Sequence, residues 1–257
     1  MREERNNKDR IILVTNDDGV DAPGVHILSK SLSKFGRVIC VCPERQQSCQ
    51  SMALTVMSPL TFENVNRNED YEIYKVNGTP VDCVALAISK IIGKNPDFMA
   101  AGINLGSNAS VNLLFSGTMG AVSMSCLFGV PSVGFSLDTY NPAASFDHCL
   151  PFIDRITDGV IKNGLPAEVC LNVNIPYGEK IPEEMKLTSL CKGKWIANYK
   201  EIKDNDGKVS FRPFGHFINE DPTNQKTDIW CLEHNIVSVT PVMIDRTYPN
   251  KENLNWI

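Results

Sequence analysis

The amino-acid sequence predicts an α/β fold built on a mostly parallel sheet. Short apolar runs typical of buried strands alternate with segments of helical apolar spacing through the first half of the chain. The alternation of strands with helices favours βαβ units, whose crossovers are right-handed and whose strands are parallel. A chain of 257 residues with 42% hydrophobic residues is long enough for one large α/β domain.

The first βαβ unit is read directly from the sequence. IILVTN (11–16) is a short, β-branched apolar run, which predicts a buried strand. GVHILSKSLSKFG (24–36) has five apolar residues at helical spacing and ends in glycine, which predicts a helix. RVICVCP (37–43) predicts a second strand that proline stops.

The later elements follow the same logic up to about residue 180. We expect a strand, a turn and a helix in 71–93, a strand in 97–104, a helix in 117–129, and strands in 130–137 and 169–176.

Beyond residue 180 the pattern changes, because 213–230 is polar and rich in loop-forming residues. Residues 236–242 alternate apolar and polar side chains, which predicts an exposed or hairpin strand. We therefore expect 1–257 to form a single domain in which residues from about 180 to 257 are an accessory C-terminal β extension that pairs with a partner subunit.

Composition narrows the choice of partner and compartment. The net charge of −5 weighs against a nucleic-acid polymer or an anionic membrane as partner. The charged N-terminus is unlike a signal peptide, and no run approaches the ~18 apolar residues of a membrane span. Nine cysteines without a CxxC pair indicate buried free thiols in a reducing, cytoplasmic setting.

Two adjacent carboxylates, Asp17 and Asp18, end the first predicted strand. Burying like charges side by side costs several kcal/mol each unless a positive group compensates. Ligands of open α/β sheets bind at the carboxyl ends of the strands, and a hard divalent cation prefers oxygen ligands. The pair, with Gly19 after it, therefore indicates a metal site, although helix capping and turn formation also favour Asp.

Neutral oxygen ligands are available at two other strand ends. The segment after the second strand offers Ser48 or Ser51, and the segment after the strand in 97–104 offers Asn104 or Asn108. Two carboxylates neutralise a divalent cation, so a phosphate oxygen can complete its coordination.

Residues 116–118, Ser-Gly-Thr, directly precede a helix of small residues. Free N–H groups at such a helix start cradle phosphate, although simple N-capping by Ser116 explains the pattern equally well. Thr79 and Asp82 have the spacing of a structural capping box. Trp195 and Tyr199 either stack on a nucleobase or simply pack.

Six blocks together resemble the SurE family of survival-protein nucleotidases. In chain order they are TNDDG (15–19), CPERQQSCQS (42–51), NGTPVDCV (77–84), AAGINLGSN (100–108), FSGTMGA (115–121) and VSVTP (237–241). The resemblance implies a three-layer, Rossmann-like α/β/α core whose C-terminal extension swaps between subunits of a homodimer or tetramer. It also implies one divalent metal ion per subunit, Mg²⁺ or Mn²⁺, and hydrolysis of nucleoside 5′-monophosphates, with 3′-monophosphates or short polyphosphate as further substrates.

The resemblance assigns roles block by block. The metal ligands it implies are Asp17, Asp18, Ser48 and Asn104. The phosphate-proximal residues it implies are Asn108, Ser116, Gly117 and Thr118. Its catalytic set is Asp17, Asn108, Ser116 and Thr118, which act with a metal-activated water. Phe115 stands where the family commonly has tyrosine, and Ala53 where it commonly has serine.

Three alternatives to a metal-dependent nucleotidase stay open at this point. An aspartyl-phosphate phosphatase needs acids two residues apart, whereas Gly19 stands two residues after Asp17. A receiver-like switch needs an aspartate at a later strand end, where this chain has Asn104. A sensor that binds metal and nucleotide without turnover is harder to exclude.

Overall fold

The computed structural model describes residues 9–66, 69–204, 206–247 and 249. Helices pack on both faces of a nine-stranded sheet, and a separate two-stranded hairpin stands beside it. The strands of the large sheet are β1 (Ile11–Thr15), β2 (Arg37–Pro43), β3 (Phe62–Asn64), β4 (Glu72–Val76), β5 (Phe98–Leu105), β6 (Ser132–Asp138), β7 (Val169–Pro176), β8 (Met185–Leu187) and β11 (Val237–Met243). The hairpin consists of β9 (Gly193–Lys203) and β10 (Val209–Asn219).

The order of the strands confirms the predicted α/β class. It is β3-β4-β2-β1-β5-β6-β7-β11-β8, and the six strands from β4 to β7 are parallel. β3 and β11 run antiparallel to their neighbours β4 and β7. The chain leaves β1 toward β2 on one side and later places β5 on the other side. The topological switch point therefore lies between β1 and β5, where open α/β sheets bind ligands.

Helices cover both faces of this sheet and make the three-layer arrangement. They are α1 (Pro23–Leu32), α2 (Pro80–Leu86), α3 (Gly117–Leu127), α4 (Leu150–Asn163) and α5 (Asp228–Glu233). Because side chains alternate along a strand, Ile12 and Val14 of β1 pack with α1 and α4, while Leu13 packs with α2 and α3 on the opposite face. The sequence analysis left α4 unassigned, although its buried apolar residues recur at helical spacing.

The predicted capping box at the start of α2 is confirmed. Thr79 accepts a hydrogen bond from the Asp82 N–H, and the Asp82 carboxylate accepts one from the Thr79 N–H. Eight of the nine cysteines are buried, as expected, and Cys49 is exposed. Within the described ranges, no helix combines the length and the apolar character that a membrane crossing needs.

The structure corrects the sequence-based picture of the C-terminal part. Residues 213–230, predicted as a polar loop, contain most of β10 and the start of α5. The strand predicted as an exposed or hairpin strand is β11, which is largely buried between β7 and β8 in the main sheet. Its polar Ser238 and Thr240 are buried because their hydroxyls bond to the Thr188 hydroxyl at 2.8 and 2.7 Å. A role for the C-terminal extension in oligomerisation stays a prediction.

Candidate metal and phosphate site

Asp17 follows β1 at the switch point and is almost completely buried, with 4% of its surface exposed. The Thr118 hydroxyl donates a hydrogen bond to its carboxylate, and the N–H groups of Gly117 and Thr118 at the start of α3 also face it. A Cβ atom on Gly117 would lie 2.8 Å from the Asp17 Cβ, so this close approach requires glycine. Burial raises the pKa of Asp17 despite these donors.

Asp18 carries the second carboxylate and is less buried than Asp17. Burial, and then the neighbouring Asp17 charge, raise the pKa of Asp18 to about 6, against the opposing hydrogen bonds from Leu105 N–H and the Gln46 side chain. Among the ion pairs of the described residues, none includes either carboxylate. The pair is therefore a concentrated negative charge that a cation would neutralise.

Ser48 and Asn104 add neutral oxygen atoms beside this pair. The Asn104 side-chain amide donates to the Gly106 carbonyl at 2.7 Å, which leaves its Oδ1 free to coordinate. The Ser48 hydroxyl accepts a 3.0 Å hydrogen bond from Gln46 Nε2 and retains a lone pair. Two carboxylates, a hydroxyl and an amide oxygen match the ligands that Mg²⁺ and Mn²⁺ prefer. Across the described ranges, no group of three or more His, Cys, Asp or Glu residues forms another metal cluster.

A cavity of about 360 Å³ lies beside Asp17, and Asp18 is not among its lining residues. Five of the eight predicted site residues line it: Asp17, Ser48, Asn104, Asn108 and Ser116. Ser116 is the N-cap of α3, and its Oγ accepts the Met119 N–H at 3.0 Å, so its own hydroxyl hydrogen remains free to donate.

The position of Thr118 differs from the sequence-based expectation. Thr118 was expected to contact phosphate, but its side chain is fully buried and its hydroxyl is used by Asp17. The position therefore suits orientation of the Asp17 carboxylate, not direct contact with a substrate.

Asn108 is held by a buried polar network that the sequence analysis missed. Its N–H donates to Asn174 Oδ1 at 2.7 Å, and its carbonyl accepts from Asn172 Nδ2 at 2.8 Å. Its side-chain amide donates to the Ser136 hydroxyl at 2.9 Å, which leaves a second amide hydrogen available. Two asparagines two residues apart in the apolar strand β7 were the available signal, because buried polar side chains need partners.

A buried carboxylate also fastens the hairpin to the wall of the cavity. Asp228 accepts hydrogen bonds from Ser110 N–H at 2.7 Å and Cys191 N–H at 2.8 Å. Burial raises its pKa despite these donors. The contact holds the start of β9 next to the segment before α3, and Trp195 of β9 lines the cavity whereas Tyr199 does not.

A doubly wound α/β sheet with oxygen ligands gathered at its switch point defines the class: a Rossmann-like protein with a site for a cation and an anionic ligand. The family model described as "Survival protein SurE" matches residues 12–197, and the chain belongs to the SurE family. A relative named 5′-nucleotidase SurE from Phocaeicola vulgatus is 40% identical over 248 residues, which cover 96% of each chain.

Further similarity extends over nearly the whole chain. A protein of the same name from Bacteroides fragilis is 37% identical over 241 residues, covering 94% of each chain. The crystal structure of the SurE protein from Aquifex aeolicus superposes with a TM-score of 0.80 at 30% identity, covering 96% of this chain and 98% of the other.

Proposed function

We propose that this protein is a divalent-metal-dependent 5′-nucleotidase that hydrolyses nucleoside monophosphates to nucleoside and phosphate. The observation that carries the proposal is the convergence of Asp17, Ser48 and Asn104 with Asn108 and Ser116 on one cavity at the switch point. The similar proteins from Bacteroides fragilis and Phocaeicola vulgatus, both named 5′-nucleotidase SurE, support the same activity.

In this proposal Asp17, Asp18, Ser48 and Asn104 hold one Mg²⁺ or Mn²⁺ ion. When bound, such an ion lowers the pKa of a coordinated water and polarises a phosphoryl oxygen. Thr118 is a positioning residue, because its hydroxyl fixes the rotamer of the Asp17 carboxylate. The hydrogen bond from the start of α3 keeps this carboxylate in place before any substrate arrives.

The hydrolysis needs one displacement at phosphorus. Water attacks opposite the ester oxygen and the bond between phosphorus and that oxygen breaks. One proton of the attacking water passes to the departing nucleoside oxygen, and the other stays on the phosphate product. Ser116 and Asn108 donate their free hydrogens to the non-bridging phosphate oxygens, where negative charge is concentrated. Asp17 orients the attacking water. No phosphoenzyme forms.

The test is phosphate release from nucleoside 5′- and 3′-monophosphates and short polyphosphate, in EDTA, Mg²⁺ or Mn²⁺. We expect release from 5′-monophosphates to need metal and to fall by at least about 1,000-fold in Asp17→Asn. Asp158→Asn is the matched control, because Asp158 lies on the solvent side of α4 and pairs only with Lys162 at 2.7 Å in the described contacts.

Two results separate the proposal from its alternatives. Turnover that survives within a few-fold in Asp17→Asn would exclude the proposed role of the carboxylate pair. Metal and nucleotide binding by calorimetry without turnover under any metal would indicate a sensor instead of an enzyme.

A further inference from the structure

Three exposed aromatic side chains line the same cavity as Asp17: Phe115, Tyr140 and Trp195. Exposing apolar rings to water costs free energy, and here three such rings line one cavity. The cavity therefore combines oxygen ligands and hydrogen-bond donors with flat apolar surfaces.

The indole of Trp195 is fixed in orientation although the side chain is 44% exposed. Its Nε1–H donates to Asn112 Oδ1 at 2.7 Å, and Asn112 in turn donates to the Ser107 carbonyl at 3.2 Å. The Phe217 ring on the facing strand packs against it edge to face, with 6.1 Å between the ring centroids. A ring that is held before binding loses little entropy when a ligand stacks on it.

The Tyr140 ring is positioned by a glycine in the loop after β5. Gly106 has φ +107°, and a Cβ atom there would lie 2.6 Å from a carbon of the Tyr140 ring. Only glycine combines this backbone conformation with so close an approach. Trp195 in strand β9 and Tyr140 in the loop after β6 are thus placed at the same cavity by separate local contacts.

We propose that these rings form a nucleobase subsite in which the base stacks on Trp195 while the phosphate lies at Asn108 and Ser116. The inference rests on the proposed function and deepens it, because it names the part of the substrate that binding selects. The volume of about 360 Å³ lies in the range of roughly 300–1,000 Å³ found for small-molecule sites. Stacking accepts any base, so the subsite selects nucleotides over base-free phosphate esters and not one base over the others.

The matched substrates are adenosine 5′-monophosphate and ribose 5-phosphate, which share the phosphate and the sugar and differ in the base. Trp195→Ala should raise the KM for the nucleotide relative to the KM for ribose 5-phosphate by about tenfold, with kcat for the nucleotide within threefold. Trp195→Phe, which keeps an aromatic face, should recover most of the nucleotide affinity.

Tyr199→Ala is the control on the same strand, because Tyr199 is exposed and lies outside the cavity. It should leave both KM values unchanged. If Trp195→Ala changes the KM values for the two substrates equally, or changes neither, the proposed subsite is refuted and the rings serve another contact.

A binding measurement keeps this test separate from the test of catalysis. Adenosine carries no phosphate, so its quenching of Trp195 fluorescence, measured as the difference between wild type and Trp195→Phe, reports on the subsite alone. Quenching by adenosine in a protein without phosphatase activity would support the subsite while the proposed function fails. Normal turnover with no adenosine-dependent difference would refute the subsite while the proposed function stands.

Discussion

Gly120 of α3 is the position where one added methyl group should do most damage to the site. A Cβ atom there would lie 1.9 Å from the carbonyl oxygen of Ser51, whereas real Cβ contacts stay beyond 3.0 Å. In Gly120→Ala the Ser51 carbonyl must therefore move by at least about 1 Å. The helix cannot yield instead, because nearly all of α3 is buried between α2 and the sheet.

Displacing Ser51 has a cost in stability and a consequence at the metal site. Ser51 N–H donates to the Phe115 carbonyl at 3.1 Å, and its hydroxyl donates to the Leu114 carbonyl at 2.8 Å. Overpacking of this kind costs about 1–3 kcal/mol, which corresponds to a Tm lowered by roughly 2–10 °C. Because Ser48 lies three residues earlier in the same loop, we also expect the Mg²⁺ concentration for half-maximal activity to rise about tenfold.

The assay is a pair of Mg²⁺ titrations of activity and of Tm, with Gly159→Ala as the matched control. Gly159 is inside α4, and a Cβ atom there would meet nothing within 4 Å. Alanine at that position should stabilise the protein by up to about 1 kcal/mol and leave the Mg²⁺ requirement unchanged. A Gly120→Ala protein with wild-type Tm and wild-type Mg²⁺ requirement would refute the coupling of α3 to the Ser48 loop.

Two further predictions concern the carboxylates. The pKa of Asp18 is raised from 3.8 to about 6 in the folded protein. The protonated carboxyl therefore favours the folded state, and this contribution to the free energy of unfolding is lost as the pH rises between those two values. Because the proposed site binds metal through ionised carboxylates, the rise in Tm on adding Mg²⁺ should be larger at pH 7.5 than at pH 5. Asp18→Asn should reduce that difference and leave the part that comes from Asp17, whose pKa is also raised. Thr118→Val removes the hydroxyl donor to Asp17 and should lower kcat by about 10- to 100-fold, with Thr118→Ser restoring most activity.

The order of the main elements could be predicted because local patterns determine them. β1 and β2 are short apolar runs, α1 has apolar residues at helical spacing, and consecutive βαβ units leave few possible topologies. The C-terminal part could not be predicted in this way. The alternation in β11 is typical of an exposed strand, but its hydroxyls are buried through contacts with Thr188, some 50 residues away in sequence.

The candidate site shows the same division between local and distant information. Asp17 and Asp18 were predictable because an acid pair at a strand end is visible in the sequence itself. The burial of Thr118 against Asp17 and the bonds from Asn172 and Asn174 to Asn108 depend on contacts 64 to 101 residues apart. Local patterns in a single sequence do not reveal contacts between residues so far apart in the chain, so the roles of these supporting residues are visible only in the structure.

The β9–β10 hairpin, which Asp228 fastens to the wall of the cavity, forms a unit of stability separate from the main sheet. Strands β9 and β10 pair only with each other in the described sheets, and an isolated pair of strands is marginally stable. Opening of the hairpin is therefore a local event with a lower free energy than global unfolding, and amide hydrogen exchange should report it as early loss of protection in both strands. Each such opening would withdraw Trp195 from the cavity while the carboxylates at β1 stay in place. In the proposed nucleotidase, base stacking and phosphate chemistry would therefore depend on different parts of the stability of the fold.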